Sequence, residues 1–278
     1  MANRTKRIVF LSCPHCGHRT GLTPPALWWS DKPEDYDGTS SRRRAGYGAI
    51  QRICWNWYSK TIESLRPIDI LCVVGDAIDG KGYRSGGNEL VTTDRHVQYE
   101  MAETAFRLAR AKNYVFIRGT KYHTGVEEDW EDHIAKAFPA ASSHIHNHKF
   151  LNVNGIIFDI KHKVSSSDTP YGRATAIEKQ RVWNQEWAID SRQPLADVVI
   201  RAHVHYHKLV SGIRGAKRYL CLTLPSMQEL GTEYGERECS GPVDYGLIYF
   251  DVPAKGGEIW PVTRILRGEH QKAQPLIL

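Results

Sequence analysis

Short apolar runs, each closed by glycine, carboxylate or histidine, recur along this chain. Ile8-Val-Phe-Leu11, Ile68 to Val74, Tyr114-Val-Phe-Ile117, Gly155 to Ile160 and Val198 to Ala202 are rich in β-branched and aromatic side chains, the pattern of buried strands. Between them lie stretches with helical spacing. Ala49 to Leu65 places Ile50, Ile53, Cys54, Trp57, Thr61 and Leu65 on one side, and Arg95 to Lys112 does the same with Val97, Met101, Thr104, Ala105, Leu108 and Ala109. Glu127 to Phe138 and Ala174 to Asp190 also read as helices. Lys149 to Leu151 joins Gly155 to Ile160 through a turn over 152–155, and Tyr219 to Leu224 and Tyr245 to Val252 add two strands. Alternating strands and helices followed by strand-rich pairs predict an α/β sandwich of two mixed β-sheets flanked by helices. No repeat or linker divides residues 1–278, which read as a single domain. From Gly17 to about Gly48 the chain is polar and rich in Pro and aromatic residues, and long loops inside compact domains are usually functional. The region at about 17–60 is therefore expected to be a substrate-facing insertion.

Composition narrows the picture modestly. Hydrophobic residues make up 41% and charged residues 24% of 278, ordinary globular values with room for a sizeable core. No apolar run approaches the roughly 18 residues of a membrane helix, and Ile8 to Leu11 is too short for a signal-peptide core. The six cysteines show no disulfide framework, and Cys72 and Cys221 fall in apolar runs as packed thiols. A soluble cytoplasmic protein with no membrane partner is the expectation. A net charge of +6 suits phosphate substrates or nucleic acid, but also plain solubility. The 13 histidines say more, because imidazole is the commonest metal ligand.

Chemistry gathers where the strands end. The run Ile70 to Val74 breaks at Gly75 and delivers Asp76 and Asp79 to the C-terminal strand tip, where open α/β sheets place their sites. Four further clusters follow strand ends: Ser12-Cys13-Pro14-His15-Cys16-Gly17-His18, Arg118-Gly119-Thr120-Lys121-Tyr122-His123, Lys161-His162-Lys163, and Ala202-His203-Val204-His205-Tyr206-His207. A lone histidine is more often structural than functional. Five clusters at successive strand ends read as a metal site.

Rival readings attach to some of these residues. Cys13-Pro-His-Cys16 has the C-x-x-C spacing of a thioredoxin-like redox motif, which needs a helix at the second cysteine; Gly17 to Gly21 and Pro24-Pro25 make a poor one. As a zinc knuckle it lacks a second C-x-x-C. The histidines of Ser143 to His148 alternate as on a strand and read as an exposed polar face. Arg42-Arg43-Arg44 reads as a solvated loop or a phosphate-facing arm. Trp55 to Tyr58 could stack bases, although its helical spacing favours packing.

The ordered set resembles the calcineurin-like metallophosphoesterases, whose pattern is D-x-H, G-D-x-x-D, G-N-H-D/E, a lone H, then G-H-x-H. Gly75-Asp76-Ala77-Ile78-Asp79 matches the second element whole; His15 matches the first, His162 the lone histidine, and His203 with His205 the last. The resemblance runs from residue 8 to about 207 and implies two divalent metal ions (Mn, Zn, Fe or Ni). Asp76 would bridge them, with Cys13, His15 and His205 on one and His162 and His203 on the other. Asp79 would orient ligands from behind. Metals roughly 3.5–4 Å apart clamp a phosphoryl oxygen and generate hydroxide near neutral pH. The implied activity is hydrolysis of a phosphate mono- or diester, and charge with the Arg42–Arg44 and Trp55–Tyr58 regions favours a nucleotide or nucleic acid. Two departures stand out. Cys13 occupies the first aspartate's place, and Thr120 and Lys121 stand where Asn and His belong. His123 is then the expected substitute, as ligand or as the group protonating the leaving oxygen. A non-catalytic binding module of the same fold is the alternative.

Overall fold

Each apolar run forms a strand, and the strands sort into two sheets. The computed structural model describes residues 4–268 apart from 39, 84, 126–128, 140–144 and 233–240. Its elements are β1 (Lys6–Ser12), α1 (Ser41–Ser64), β2 (Ile70–Val74), α2 (Arg95–Arg107), β3 (Asn113–Ile117), α3 (Lys121–Thr124), α4 (Trp130–Lys136), β4 (His148–Val153), β5 (Ile156–Lys163), α5 (Gly172–Ile189), β6 (Val198–Ala202), β7 (Lys208–Arg214), β8 (Lys217–Thr223), β9 (Gly246–Val252) and β10 (Val262–Ile265). One sheet runs β10-β9-β1-β2-β3 and the other β4-β5-β6-β8-β7. Both are mixed. β1, β2 and β3 are mutually parallel, as are β5, β6 and β8, and antiparallel strands flank each set. The architecture is the sandwich of two mixed β-sheets flanked by helices that the sequence predicts.

Alternation along the strands builds three apolar layers. Ile8, Phe10, Cys72, Val74, Phe158, Ile160, Ile200, Leu222 and Phe250 fill the space between the sheets. Val9, Leu11, Leu71 and Val73 face the other way, against Tyr58 and Ile62 of α1, Met101 and Phe106 of α2 and Ile134 of α4. Ile177 of α5 covers Val199 and Cys221 on the far side of the second sheet.

Several boundaries differ from expectation for physical reasons. α1 starts at Ser41 rather than Ala49, because Arg42 to Arg44 are good helix formers although the first turn has no apolar stripe. Two 3-10 turns at Pro25–Leu27 and Pro33–Asp35 order the preceding segment. β7 and β10 went unanticipated; they are edge strands with largely solvated side chains. The turn expected over 152–155 tightens to Asn154-Gly155, since Asn152 and Val153 remain paired in β4. α4 starts at Trp130, and Glu127 and Glu128 lie outside the described residues, as do Ser143 and His144 of the histidine alternation. Trp55 and Tyr58 are packed in the core, not offered to a ligand. No helix among the described residues is long and apolar enough to cross a membrane.

Candidate metal centre

The strand ends carry the chemistry on bent backbone. Cys13, His15, Asp76, His203 and His205 all have left-handed φ, at 49°, 43°, 52°, 76° and 54°. Such angles cost non-glycine residues roughly 1–2 kcal/mol each and tend to gather at functional sites. Interlocking loops impose them. Cys13 N donates to Gly75 O, His15 N to Asp76 O and Cys16 N to Ala77 O, so the β1 and β2 tips are stitched together. Residues 16–22 coil back as turns, with Gly21 N on His18 O and Leu22 N on Pro14 O. The helix that a thioredoxin-like motif requires is not there, and Cys13 and Cys16 are buried, unjoined thiols.

Two glycines permit the close approach of these loops. A Cβ on Gly75 (φ 74°) would sit 2.3 Å from His162 Nδ1, and one on Gly119 would sit 2.2 Å from both the amide nitrogen and Oδ1 of Asp76. No side chain fits at either place.

Asp76 and His162 form the centre of the cluster. His162 Nδ1 donates to Val74 O at 2.8 Å, so its Nε2 carries a lone pair when the ring is neutral. That Nε2 lies 2.9 Å from Asp76 Oδ2, and His203 Nδ1 lies 3.9 Å from the same oxygen. Neither His162 Nε2 nor Asp76 Oδ2 is aligned with any hydrogen-bond partner, although both are buried. Two acceptors facing each other without partners are what a cation satisfies. The other carboxylate oxygen is occupied, since Asp76 Oδ1 accepts from the Thr120 amide at 2.7 Å and the Thr120 hydroxyl at 3.1 Å. Burial acts to raise the Asp76 carboxyl, but the neighbouring His162 outweighs it and holds the group well below the ordinary carboxylate range. Burial likewise acts to lower His162, and the Asp76 charge reverses this and raises it.

A second group adjoins the first. Cys13, His15 and His205 bring donor atoms within 4.8 Å of one another, as do Cys13, Asp76 and His162, and His15, Asp76 and His123. His15 Nδ1 pairs with Asp79 Oδ1 at 2.8 Å, which turns its Nε2 toward His205 Nε2 at 3.3 Å. Burial lowers both imidazoles, His15 aided by His123 and His205 by His15, so both are neutral and fit to ligate. Asp79 is itself buried, but its bond to His15 and the surrounding imidazoles hold its carboxyl at about 2. His123 Nδ1 donates to Asp79 O at 2.9 Å, and its ring packs edge-on against His15 with centroids 4.5 Å apart. The Cys13 thiol is pushed well up by burial and the Asp76 charge. A cation reverses that, since it binds the thiolate.

The oxygen, nitrogen and sulfur donors present thus fit divalent cations, Cys13 favouring a soft one such as zinc. All seven residues expected as ligands, with Asp79, are brought together. His18 and His207, from the same sequence clusters, are not. His18 Nδ1 pairs with Thr20 and His207 Nδ1 donates to Thr223 O.

Sequence reasoning missed Glu131. Its two oxygens accept from Ala77 N at 2.7 Å and Gly119 N at 2.6 Å, bracing the β2 and β3 loops from behind. Burial and the Asp76 charge push its carboxyl up to about 7. A signal existed: Glu131 shares the buried face of α4 with Ile134 and Ala135, an unusual place for an acid.

Solved structures of similar fold come from several sources. Vps29 of Chaetomium thermophilum is 12% identical, with 97% of this chain and 92% of that one covered and a TM-score of 0.47. Vps29 of Entamoeba histolytica, solved with Zn2+, is 12% identical over 93% and 98%, with a TM-score of 0.38. Purple acid phosphatase PPD1 from yellow lupin is 10% identical, covering 99% of this chain but 57% of that one, with a TM-score of 0.42. No protein-family model matches the sequence, and no curated protein does. The structural neighbours are proteins of the calcineurin-like metallophosphoesterase fold, at low identity.

Proposed function

We propose that this protein is a metal-dependent phosphoesterase that hydrolyses a phosphate mono- or diester. One observation carries the reading: the unpartnered, buried pair of acceptors formed by Asp76 Oδ2 and His162 Nε2. Asp76, His162 and His203 would hold one cation, and Cys13, His15 and His205 a second beside it. Divalent cations there supply Lewis acidity toward a phosphoryl oxygen and make water acidic enough to ionise near neutral pH.

The chain's own residues do the rest. Asp79 fixes the His15 ring so that Nε2 faces inward. Thr120 occupies Asp76 Oδ1 and so leaves Oδ2 as the oxygen that would meet a cation. His123, its Nδ1 anchored on Asp79 O and its side chain 18% exposed, stands beside His15. From that position it would hand a proton to the departing oxygen.

The test is metal-dependent hydrolysis of bis-p-nitrophenyl phosphate, with Asp76→Asn and His203→Ala as controls. Turnover is expected from wild type and from neither variant; turnover surviving both substitutions would overturn the assignment. Thr120 spends both its donors on Asp76, which favours a second reading, a non-catalytic binding module of the same fold. Less than one equivalent of bound metal without turnover selects that reading.

A further inference from the structure

Away from the metal cluster, a cavity of about 450 Å3 lies between the start of α1 and the loop through Gly87 and Asn88. Three guanidinium groups line it, those of Arg19, Arg43 and Arg44, with the rings of Trp29, Tyr36 and Tyr47. Its volume falls within the roughly 300–1,000 Å3 of small-molecule sites.

The walls are built rather than incidental. Arg19 is 5% exposed, donates to Gly231 O at 2.9 Å, pairs with Glu89 at 3.0 Å and lies 4.3 Å over the Tyr47 ring. Tyr47 meets Trp29 edge to face at 6.3 Å, and its hydroxyl accepts from Arg43 Nε at 3.3 Å. Arg44 reaches the Tyr36 ring at 6.0 Å. Fully buried Gln51 ties two walls together: its Oε1 accepts from the Trp29 amide at 2.8 Å, and its Nε2 donates to Arg19 O at 3.0 Å. The ring faces and Arg19 are therefore set in place before any ligand arrives, with Arg43 and Arg44 at the exposed rim.

Guanidinium forks bind phosphate with two parallel hydrogen bonds, and aromatic faces stack nucleobases. A cavity that offers both matches one ligand class. We propose that this cavity binds the base and a phosphate of a nucleotide, free or within a nucleic-acid strand. Arg19 belongs to the same coiled loop as His15, closed by His18 N on His15 O and Leu22 N on Pro14 O. One loop thus serves both the cavity and the metal cluster. As the substrate-recognition pocket of a phosphoesterase, the assignment rests on the preceding proposal; as a nucleotide site it stands alone.

The test is calorimetric titration of the full-length, metal-loaded protein with adenosine thiomonophosphate and with a phosphorothioate oligothymidylate, both slow to hydrolyse. Arg43→Ala/Arg44→Ala and Trp29→Leu/Tyr36→Leu are each expected to weaken binding by about tenfold or more, the cost of one lost phosphate or stacking contact. The metal content of both variants is expected to match wild type, because neither pair touches the metal cluster. Should an alanine or leucine variant fail to fold, Arg43→Lys/Arg44→Lys and Trp29→Phe/Tyr36→Phe carry the test. The lysine pair keeps charge without the fork and is expected to lose about threefold or more, while the phenylalanine pair keeps ring faces and binding. Binding of the thiomonophosphate identifies a mononucleotide ligand and binding of the oligothymidylate alone a strand; either supports the site. No binding by wild type, or arginine variants within about twofold of it, overturns the proposal. Neither result bears on hydrolysis, which is decided by the Asp76 and His203 variants.

Discussion

His162 Nε2 and Asp76 Oδ2 face each other across 2.9 Å at the crossing of the two sheets, buried and without hydrogen-bond partners. A cation resolves both at once, so the first prediction concerns metal content. Wild type dialysed against metal-free buffer should retain about two equivalents of divalent metal, whereas Asp76→Asn and His162→Ala should retain less than one. Added metal at about 100 times its Kd should raise unfolding free energy by roughly 2.7 kcal/mol in wild type and leave Asp76→Asn unchanged. Elemental analysis and urea melts read the two outcomes.

Cys13 makes a sharper forecast because sulfur reports on its own bonding. Cobalt(II) substitution should produce a thiolate-to-metal charge-transfer band in the near ultraviolet that Cys13→Ser lacks. Burial and Asp76 hold this thiol protonated in the metal-free protein, so binding must release its proton. Affinity for zinc should therefore climb as pH rises through the neutral range, and climb less steeply in Cys13→Ser. Equal slopes would place the sulfur outside the coordination sphere.

Gly119→Ala tests the packing of the loops. Its new Cβ would lie 2.2 Å from Asp76 N and Oδ1, both of them at the hub of the cluster. Relief requires the β3 loop to withdraw, which breaks the Thr120 bonds to Asp76. A loss of about 2–3 kcal/mol in stability is expected, with loss of metal, from urea melts and elemental analysis.

Glu131→Gln removes one acceptor of the brace behind the cluster. An NH2 group then faces either Ala77 N–H or Gly119 N–H, leaving a buried donor unpaired at a cost of about 1–3 kcal/mol. Metal affinity should fall alongside, by roughly 10–100-fold, as for other groups that orient ligands. Stability and affinity both unchanged would show the brace to be dispensable.

On the strands that lead to His162 and His203, Arg201 Nη1 and Nη2 grip Asp159 Oδ1 and Oδ2 at 3.0 and 3.2 Å, with His148 Nε2 on Oδ1 at 2.6 Å. Burial acts to raise the Asp159 carboxyl, but the His148 bond and the Arg201 charge outweigh it and hold it below its ordinary range. A depressed folded value means stability that is present above the unfolded value near 4 and lost as pH falls through the folded one. Asp159→Asn should cost about 3–5 kcal/mol at pH 7, because Arg201 is left charged and buried. The gap from wild type should narrow as pH falls below the ordinary carboxylate value near 4, as measured by urea melts across pH.

Much of the site was legible because polarity changes abruptly at strand tips. Ile70 to Val74 is apolar without a break, so Gly75-Asp76 announces an end, and the same holds at Ala202-His203. The residues that gather there were marked by the order of the clusters along the chain. What stayed hidden depends on contacts between segments distant in sequence. Glu131 reads as one more acid of a polar helix until α4 is seen to press it against two loop amides. β7 and β10 lie at sheet edges, where a strand needs no continuous apolar face. The aromatic–arginine frame was misplaced for a related reason. Trp55 and Tyr58 stand near the arginines in sequence, yet the helix turns them inward, and Trp29, Tyr36 and Tyr47 line the cavity instead.

The left-handed backbone at Cys13, His15, Asp76, His203 and His205 sets fold against chemistry. Glycine at any one of these positions would suit the conformation better than the residue present. A selection for thermal endurance alone would therefore drift toward glycine, and inert descendants should outlast the parent in heat. That the chain keeps five bulky side chains on backbone made for glycine marks the cluster as something retained against the grain of stability.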